Sequence, residues 1–157
     1  MNMTLREEIK QEKPFKSAGH EAYLQLVRTS ALLQHAFAET LKPYGITTTQ
    51  YNVLRILRGA GSSGLCRHEI RDRMLTPVPD VTRLLDRLEA EGLATRERGE
   101  EDRRLVTSRI TSEGLAVLRR LEGPMDATHD RHIGHMSERD LRQLSDLLQE
   151  ARSTLVK

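Results

Sequence analysis

The chain has 157 residues and a formal net charge of +2, the size of one domain or of one compact subunit with an attached dimerisation region. Only 37% of residues are hydrophobic and 3% aromatic, which favours a helical protein whose core is completed by a partner subunit. The single cysteine, Cys66, excludes an intramolecular disulfide framework. No apolar run approaches roughly 18 residues, and the first residues lack the apolar segment of a signal peptide. The sequence therefore predicts a soluble, cytoplasmic protein without a membrane span.

The N-terminal part of the chain predicts one long helix. Residues 1–17 are mostly charged, with Leu5 and Ile9 one helical turn apart, so this segment is either a short helix that docks on a partner or a frayed terminus. From Gly19 to Tyr44, apolar residues recur at helical spacing on two sides. A helix that is apolar on two sides packs between two neighbours.

Two shorter helices follow. Thr47 and Gln50 have the spacing of a capping box and start a helix that runs to about Leu57. The glycine- and serine-rich stretch 59–64 predicts a loop. A further helix is expected from Cys66 to Leu75.

The next stretch, residues 76–92, predicts an amphipathic helix. Its apolar residues have the i, i+3, i+4, i+7 spacing of one buried stripe: Val81, Leu84, Leu85 and Leu88. The opposite face carries Pro79, Thr82, Arg83, Asp86 and Arg87. We expect Thr76 to cap this helix, with Pro77 and Pro79 in the first turn, where a missing N–H costs nothing. Gly92 ends the helix, because glycine enters a left-handed cap without steric cost.

A β-hairpin is predicted directly after this helix. Residues 93–98 and 104–110 flank the polar turn 99–103, and the β-branched content of the second segment is typical of a strand. Arg103 and Arg104 lie at the tip of the hairpin. A helix with a polar outer face, followed by such a hairpin, has the outline of a winged helix-turn-helix.

The C-terminal part predicts two more helices. Thr111 opens the first, which Gly123 and Pro124 are expected to kink or break. Ser137 and Asp140 form a second capping signature. They lead into a strongly amphipathic helix whose apolar stripe has little remaining chain to cover it: Leu141, Leu144, Leu147, Leu148, Ala151 and Leu155. We expect this stripe to be the main dimer surface.

Four motifs together resemble the MarR family of bacterial transcription regulators. They are the string 81–89, the Gly92-Leu93 exit, the Asp102-Arg103-Arg104 wing and the Thr111-x-x-Gly114 helix start. The resemblance extends in outline over residues 21–155, and Pro77 and Pro79 depart from the commonest start of the recognition helix. It implies a homodimer that binds a pseudo-palindromic operator in double-stranded DNA and usually responds to a small molecule. The resemblance further implies a repressor that a phenolic or aromatic acid releases from DNA. No cofactor is expected.

The expected fold is mostly α-helical with a small β-hairpin wing. We predict a dimerisation region from residues 1–45 that is continuous with residues 111–157. Between these segments, residues 46–110 form the predicted winged helix-turn-helix lobe.

The candidate DNA contacts lie on the recognition helix and the wing. The residues expected to face the duplex are Pro79, Thr82, Arg83, Arg87, Arg103 and Arg104. Thr82 and Arg83 are the best candidates for base edges, while the wing arginines would reach phosphates or the minor groove. Asp86 and Asp102 are acidic in an anionic setting, so we expect them to hold neighbouring arginines in place.

The net charge of this region does not support the prediction of DNA binding. Residues 67–110 contain ten arginines and ten acidic residues, so their net charge is zero. The prediction depends instead on the placement of arginines on one helix face and on the hairpin tip, since phosphate contacts need placed charges.

A ligand crevice is implied between the dimerisation helices and the winged lobe. The first long helix, the Thr47 helix and the Thr111 helix would line it. The polar or aromatic side chains placed to do so are Tyr23, His35, Tyr44, Tyr51 and Arg55. Tyrosines at helical spacing are also common as ordinary core.

Two other stimuli remain as alternatives. His129, His132 and His135 partly share a helix face and could bind zinc, although Gly134 interrupts the run and no further ligand has zinc spacing. Cys66 is expected near a helix N-terminus, which would lower the pKa of its thiol and suit a redox sensor. Cys66 does not match the reactive position of peroxide-sensing relatives, so a packed thiol is the competing interpretation.

Functions of other classes have weaker support. The sequence has no paired catalytic constellation, phosphate-binding glycine loop or metal signature, so we do not expect an enzyme. A winged-helix module used only for protein contact would favour acidic or apolar groups where Arg83 and Arg87 lie.

Overall fold

The computed structural model describes residues 3–98 and 106–155 of the chain. Its helices are α1 (Leu5–Glu8), α2 (Ala18–Leu41), α3 (Thr48–Ala60), α4 (Arg67–Arg73), α5 (Val81–Ala90), α6 (Ser112–His132) and α7 (Glu138–Arg152). Its strands are β1 (Leu65–Cys66), β2 (Ala94–Arg98) and β3 (Val106–Ile110). The predicted mostly helical fold with a small hairpin wing is confirmed. In the described ranges, no helix is both long and apolar enough to cross a membrane.

Helix α2 confirms the long N-terminal helix, with a tighter last turn. It begins after Ser17, whose hydroxyl accepts a hydrogen bond from the His20 N–H. A short 3₁₀ helix, Lys42–Tyr44, continues it to Gly45, which has a φ of 68°. The lack of an N–H on Pro43 explains why the regular helix ends here. Residues Leu5–Glu8 form the short N-terminal helix, and Leu5 is buried.

Helix α3 starts at the predicted capping box. The Thr47 hydroxyl accepts a hydrogen bond from the Gln50 backbone N–H at 3.2 Å. The side-chain oxygen Oε1 of Gln50 in turn accepts one from the Thr47 backbone N–H at 3.0 Å. Gln50 is buried and its Nε2 donates to Glu91 at 2.8 Å. This bond connects the start of α3 to the end of α5.

Helix α5 begins four residues later than the sequence predicted. Asp80, not Thr76, is the N-cap, and its carboxylate accepts from the Arg83 N–H at 3.0 Å. Pro77 and Pro79 therefore lie outside the helix, between α4 and α5. Proline disfavours helical backbone in the residue before it, so two prolines at this spacing keep Thr76 and Val78 out of the helix.

The motifs at the end of α5 and the start of α6 meet in space. Gly92 ends α5 as predicted, with a φ of 71°. Thr111 donates from its hydroxyl to the Gly92 carbonyl at 2.7 Å and caps α6 by accepting from the Gly114 N–H at 3.0 Å. A Cβ on Gly114 would lie 2.4 Å from the Leu93 carbonyl oxygen, so a side chain does not fit there. The Gly92-Leu93 and Thr111-x-x-Gly114 motifs therefore stabilise the same contact, between the end of α5 and the start of α6.

The sheet has three antiparallel strands in the order β1-β3-β2. Strands β2 and β3 form the predicted hairpin, paired from Ala94↔Ile110 to Arg98↔Val106. Strand β1, which the sequence did not predict, adds Leu65 and Cys66 to the outer edge of β3. It is too short to show an alternating pattern.

Of the predicted kink or break at Gly123 and Pro124, the break does not occur. The helix is continuous from Ser112 to His132 and contains Pro124 in its interior. Leu121 and Met125 are buried on either side of the proline, so tertiary packing maintains the helix there. The Thr128 hydroxyl also donates to the Pro124 carbonyl at 2.8 Å.

The core lies between α3, α4, α5, α6 and the sheet. Its fully buried side chains include Leu54, Leu57, Ile70, Leu88, Leu118 and Leu121. Helix α7, in contrast, contributes no buried residue, although Ser137 caps it as predicted. Its leucine stripe is left partly or largely exposed, and Leu147 is 55% exposed.

Candidate nucleic-acid interface

Helix α5 buries one face and presents the other to solvent. Val81, Leu85 and Leu88 are buried in the core, as the apolar spacing predicted. Arg83 and Arg87 are exposed, and neither forms an ion pair with another described residue. The two guanidinium groups lie one turn apart, so α5 offers a short cationic face that an external anion can reach.

The first turn of α5 is linked to α4. Arg67, the first residue of α4, donates from Nη1 to the Thr82 hydroxyl at 3.2 Å. Thr82 is half-buried between the two helices. Sequence analysis identified Thr82 but missed Arg67, since no local pattern shows which side chain of α4 faces it.

Pro79 lies at the edge of this surface rather than on the helix face. It is exposed and precedes the N-cap Asp80. Its predicted place in the first turn of the helix is wrong, because the helix begins at Val81.

Arg96 on β2 binds two carboxylates of α5. Its guanidinium donates to Asp86 at 2.7 Å and, from Nε, to Glu89 at 2.9 Å. Hydrogen bonding to Glu89 raises the pKa of Arg96 above its usual value. Asp86 was expected to hold a neighbouring arginine, and its partner is this strand arginine rather than Arg83 or Arg87. The sequence did not reveal Arg96, because the contact requires the hairpin to fold against α5.

The wing tip lies outside the described residues. Arg103, Arg104 and Asp102 belong to it, so their predicted roles stay predictions. At the base of the hairpin, Arg109 of β3 pairs with Glu97 of β2 and donates from Nε to the Ser62 carbonyl at 2.7 Å. These contacts connect the sheet to the loop after α3.

A large cavity lies beside α2. Its volume is about 1240 Å³, and its walls come from α2, α3, α6, α7 and residues 74–76. The predicted crevice helices α2, α3 and α6 all contribute to it. Among the predicted ligand residues, Tyr51 and Arg55 line the cavity, whereas Tyr23, His35 and Tyr44 do not.

The helical period of α2 explains why Tyr23 and His35 do not line the cavity. The cavity face of α2 has the spacing of one helical stripe: Ala22, Leu26, Thr29, Leu33 and Phe37. Tyr23 and His35 project from other sides of the helix, and Tyr23 is 62% exposed. Tyr44 lies instead beneath the guanidinium of Arg120, at 5.6 Å from its carbon to the ring centroid.

The cavity is mainly apolar with a few polar groups on its wall. The guanidinium carbon of Arg55 lies 5.9 Å from the Tyr51 ring centroid, and the two residues share the wall of α3. His129 packs against Phe37 with ring centroids 4.8 Å apart. Asn52 accepts a hydrogen bond from the Leu75 N–H at 3.0 Å and so fixes the segment before α5.

The histidine run does not form a metal site. Within residues 3–98 and 106–155, no group of three His, Cys, Asp or Glu side chains is arranged to hold a metal ion. His129 is on the inner face of α6, His132 is its last residue, and His135 lies beyond the helix end. The regular helix ends before Ile133, so His135 does not continue the helical spacing of His129 and His132.

Cys66 is not an activated thiol in this structure. Burial and a hydrogen bond to Glu69 raise the pKa of the thiol, which contradicts the predicted lowering by a helix N-terminus. The sulfur lies 2.9 Å from the Glu69 carboxylate and 3.1 Å from Nδ1 of His68. A carboxylate beside the sulfur disfavours the thiolate, so the packed interpretation is the better supported one.

Comparison with known proteins gives consistent matches. Residues 44–105 match the model of the MarR family. A MarR transcription factor from Planctomyces limnophilus has a similar structure, with a TM-score of 0.68 and 38% identity, covering 87% of this chain and 98% of that one.

Two curated relatives are regulators. The transcriptional regulator PrsX of Escherichia coli is 35% identical over 95 residues, which are 60% of this chain and 57% of PrsX. The chain thus spans little more than half the length of that relative. The homoprotocatechuate degradative operon repressor of Escherichia coli is 27% identical over 73% of this chain and 76% of its own length.

Proposed function

Because the chain belongs to the MarR family of transcriptional regulators, we propose that it binds operator DNA as a homodimer and represses transcription until a small ligand releases it. Each subunit inserts α5 into the major groove, whose width admits an α-helix and whose base edges are distinguishable. Thr82, Arg83 and Arg87 face the duplex, with Pro79 beside them at the edge of the contact. No covalent chemistry is required of the chain.

The observation that carries this proposal is the exposed face of α5. Arg83 and Arg87 point away from a helix whose other side is fixed in the core by Val81, Leu85 and Leu88. Arginine is suited to this position because its planar guanidinium can bind a guanine edge or a phosphate through two hydrogen bonds. A helix held by its apolar side already fixes the backbone positions of these groups, so binding has to order only their side chains.

The wing is proposed to contact the backbone of the DNA beside the same groove. Arg103 and Arg104 bind phosphates or the minor groove, and Asp102 holds one of them in place. This part of the proposal is supported by the family resemblance, since the tip lies outside the described residues.

We propose that the dimer surface is built from α2, the long N-terminal helix, and α7, the last helix of the chain. Large apolar side chains are exposed on them, namely Tyr23, Leu26, Val27, Leu32 and Leu147. Scattered exposed apolar residues are normal on a monomer, but five of the nine large ones among the described residues lie on these two helices. A two-fold dimer would bury them and orient two copies of α5 toward one face of the duplex.

The ligand is proposed to be a phenolic or aromatic carboxylate. The cavity combines apolar walls with the guanidinium of Arg55 and the phenol of Tyr51, a few polar groups that can orient an acid. The relative named as repressor of the homoprotocatechuate degradative operon supports this class, because homoprotocatechuate is itself a phenolic acid. Tyr23, His35 and Tyr44 have no part in this proposal.

Selection from a pool of random duplexes tests the function without knowledge of the operator. Purified protein should enrich an inverted repeat whose half-sites lie about 10 base pairs apart, centre to centre. The enriched duplex should lose affinity steeply with rising salt. A pool that stays random after repeated rounds would refute the proposal.

A further inference from the structure

The hydroxyl of Thr82 is hydrogen-bonded to a side chain of the neighbouring helix α4. Thr82 is the second residue of α5, and its oxygen accepts a hydrogen bond from Nη1 of Arg67 at 3.2 Å. Thr40 and Thr128 lie deeper in their helices, within hydrogen-bond distance of the carbonyl four residues earlier and of each other, whereas the residue four positions before Thr82 lies outside α5. In the part of the chain that the structure describes, the Thr82 hydroxyl makes no such bond.

The bond from Arg67 determines what Thr82 can offer to a ligand. A hydroxyl has one hydrogen and two lone pairs. One lone pair of Thr82 is occupied by a positively charged guanidinium, which directs the hydrogen away from itself. The charge also polarises the O–H bond, so the hydrogen becomes a stronger donor.

We propose that Arg67 is a positioning residue that presents Thr82 to DNA as a hydrogen-bond donor, an inference that rests on the proposed function. The partner of Thr82 is an acceptor on a base edge in the major groove. Guanine, adenine and thymine each offer an acceptor there, whereas cytosine presents only its amino donor. The pair therefore discriminates against cytosine at the one base that faces Thr82.

Arg67 can also reach the DNA backbone. It is exposed, and a guanidinium has five N–H donors, of which Thr82 uses one. Arg67 is the first residue of α4, which occupies the place of the helix that crosses the backbone in helix-turn-helix proteins, so its remaining donors are available to a phosphate. One side chain thus connects a phosphate to a base contact on the neighbouring helix.

A base-by-base binding series tests this arrangement. Wild type, Thr82→Val, Arg67→Ala and the double variant are titrated with the selected duplex and its single-base substitutions. Thr82→Val should reduce discrimination against cytosine by about fivefold to tenfold at one base pair of each half-site, the value of one hydrogen bond between neutral groups. Arg67→Ala should reduce discrimination at the same base pair, and the double variant should lose no more there than Thr82→Val alone.

Two control variants separate positioning from charge. Arg71→Ala removes an exposed arginine of the same helix that pairs with Asp72 and, among the described residues, forms no hydrogen bond or ion pair with α5, so the base preference should be unchanged. Arg67→Lys retains the positive charge and N–H donors but loses the planar fork of the guanidinium, and it should recover part of the discrimination that Arg67→Ala loses. Thermal unfolding of each variant checks that the fold is intact.

Two results would overturn the inference. Arg67→Ala could weaken binding to every duplex by the same factor, which would make Arg67 a phosphate contact only. Alternatively, Thr82→Val and Arg67→Ala could alter preference at different base pairs. A wild-type protein without any base preference would refute the proposed function itself, and that outcome is visible before any variant is made.

Discussion

Arg96 connects the wing to the recognition helix by binding Asp86 and Glu89 together. These carboxylates lie on the helix that carries Arg83 and Arg87, where unpaired negative charge would repel a duplex. The guanidinium of Arg96 pairs with both carboxylates, reduces their combined charge from −2 to −1 and fixes β2 against α5. Its side chain is 25% exposed, so water screens the two pairs less than it would on an open surface.

Replacement of Arg96 should affect binding more than folding. Arg96→Ala should lower DNA affinity about tenfold, because it exposes two negative charges and frees the wing, whereas the free energy of unfolding should fall by only about 1 kcal/mol. Fluorescence anisotropy and urea denaturation measure the two effects. Adding Asp86→Asn and Glu89→Gln to Arg96→Ala should restore part of the affinity. An Arg96→Ala protein that binds DNA with wild-type affinity would contradict this role.

Arg55 should distinguish an acid ligand from a neutral one. Arg55→Ala should weaken binding of a phenolic carboxylate by about tenfold or more, since it removes the cation on the cavity wall, and should leave operator affinity unchanged. Isothermal titration with salicylate as the probe measures this loss. Arg58→Ala is the matched control, because Arg58 lies on the same helix but pairs with Glu122 and does not line the cavity. Equal effects of the two variants would remove Arg55 from the site.

At the scale of the elements, the start of α5 depends on Asp80 alone. Its carboxylate accepts the Arg83 N–H and satisfies one free donor at the helix N-terminus. Thr76, the cap expected from the sequence, lies before both Pro77 and Pro79 and lines the cavity instead.

Cap substitutions test this helix boundary. Asp80→Ala should lower the free energy of unfolding by about 1 kcal/mol, because a backbone donor loses its partner, and Asp80→Asn should lower it less. Thr76→Ala should change it by less than about 0.5 kcal/mol. Chemical denaturation followed by circular dichroism provides the measurement. A larger cost for Thr76→Ala than for Asp80→Ala would indicate that the helix begins earlier.

Local signals made much of the fold predictable. The capping residues Thr47 and Ser137 and the terminator Gly92 act within one turn of chain, so their effects could be derived from spacing. The helix break at Pro124 was predicted wrongly, because burial of Leu121 and Met125 outweighs the local cost of proline. The site was predictable only in part. The contacts of Arg67 and Arg96 join separate elements, and sequence spacing does not encode such distances.

At the scale of the whole molecule, α2 and α7 bury fewer side chains than the other long helices of the subunit. The core between α3, α4, α5, α6 and the sheet contains many fully buried side chains. In contrast, α7 buries no residue and α2 buries only Leu41. Both helices also line the cavity. A partner subunit that covers them would therefore complete the wall of the ligand site as well as the core.

Disruption of the apolar face of α7 should separate the subunits. Leu147→Glu places a charge on a leucine that is 55% exposed, so the isolated subunit should retain its helical content while its dimer dissociates. Analytical ultracentrifugation at micromolar concentration measures the state of association. Gln149→Glu adds the same charge to another exposed position of α7 and should leave the dimer intact. A wild-type protein that sediments as a monomer would contradict the proposed assembly.

The preference of the protein for one DNA sequence over another tests the central claim most directly. Affinities for the selected inverted repeat and for a shuffled duplex are measured at the same salt concentration, for wild type, Arg83→Ala and the α7 control Arg142→Ala. We predict that wild type prefers the repeat by about 10³ or more, that Arg83→Ala loses about tenfold of this ratio, and that Arg142→Ala retains it. Equal affinity of wild type for both duplexes, or a ratio unchanged by Arg83→Ala, would contradict reading of DNA by α5.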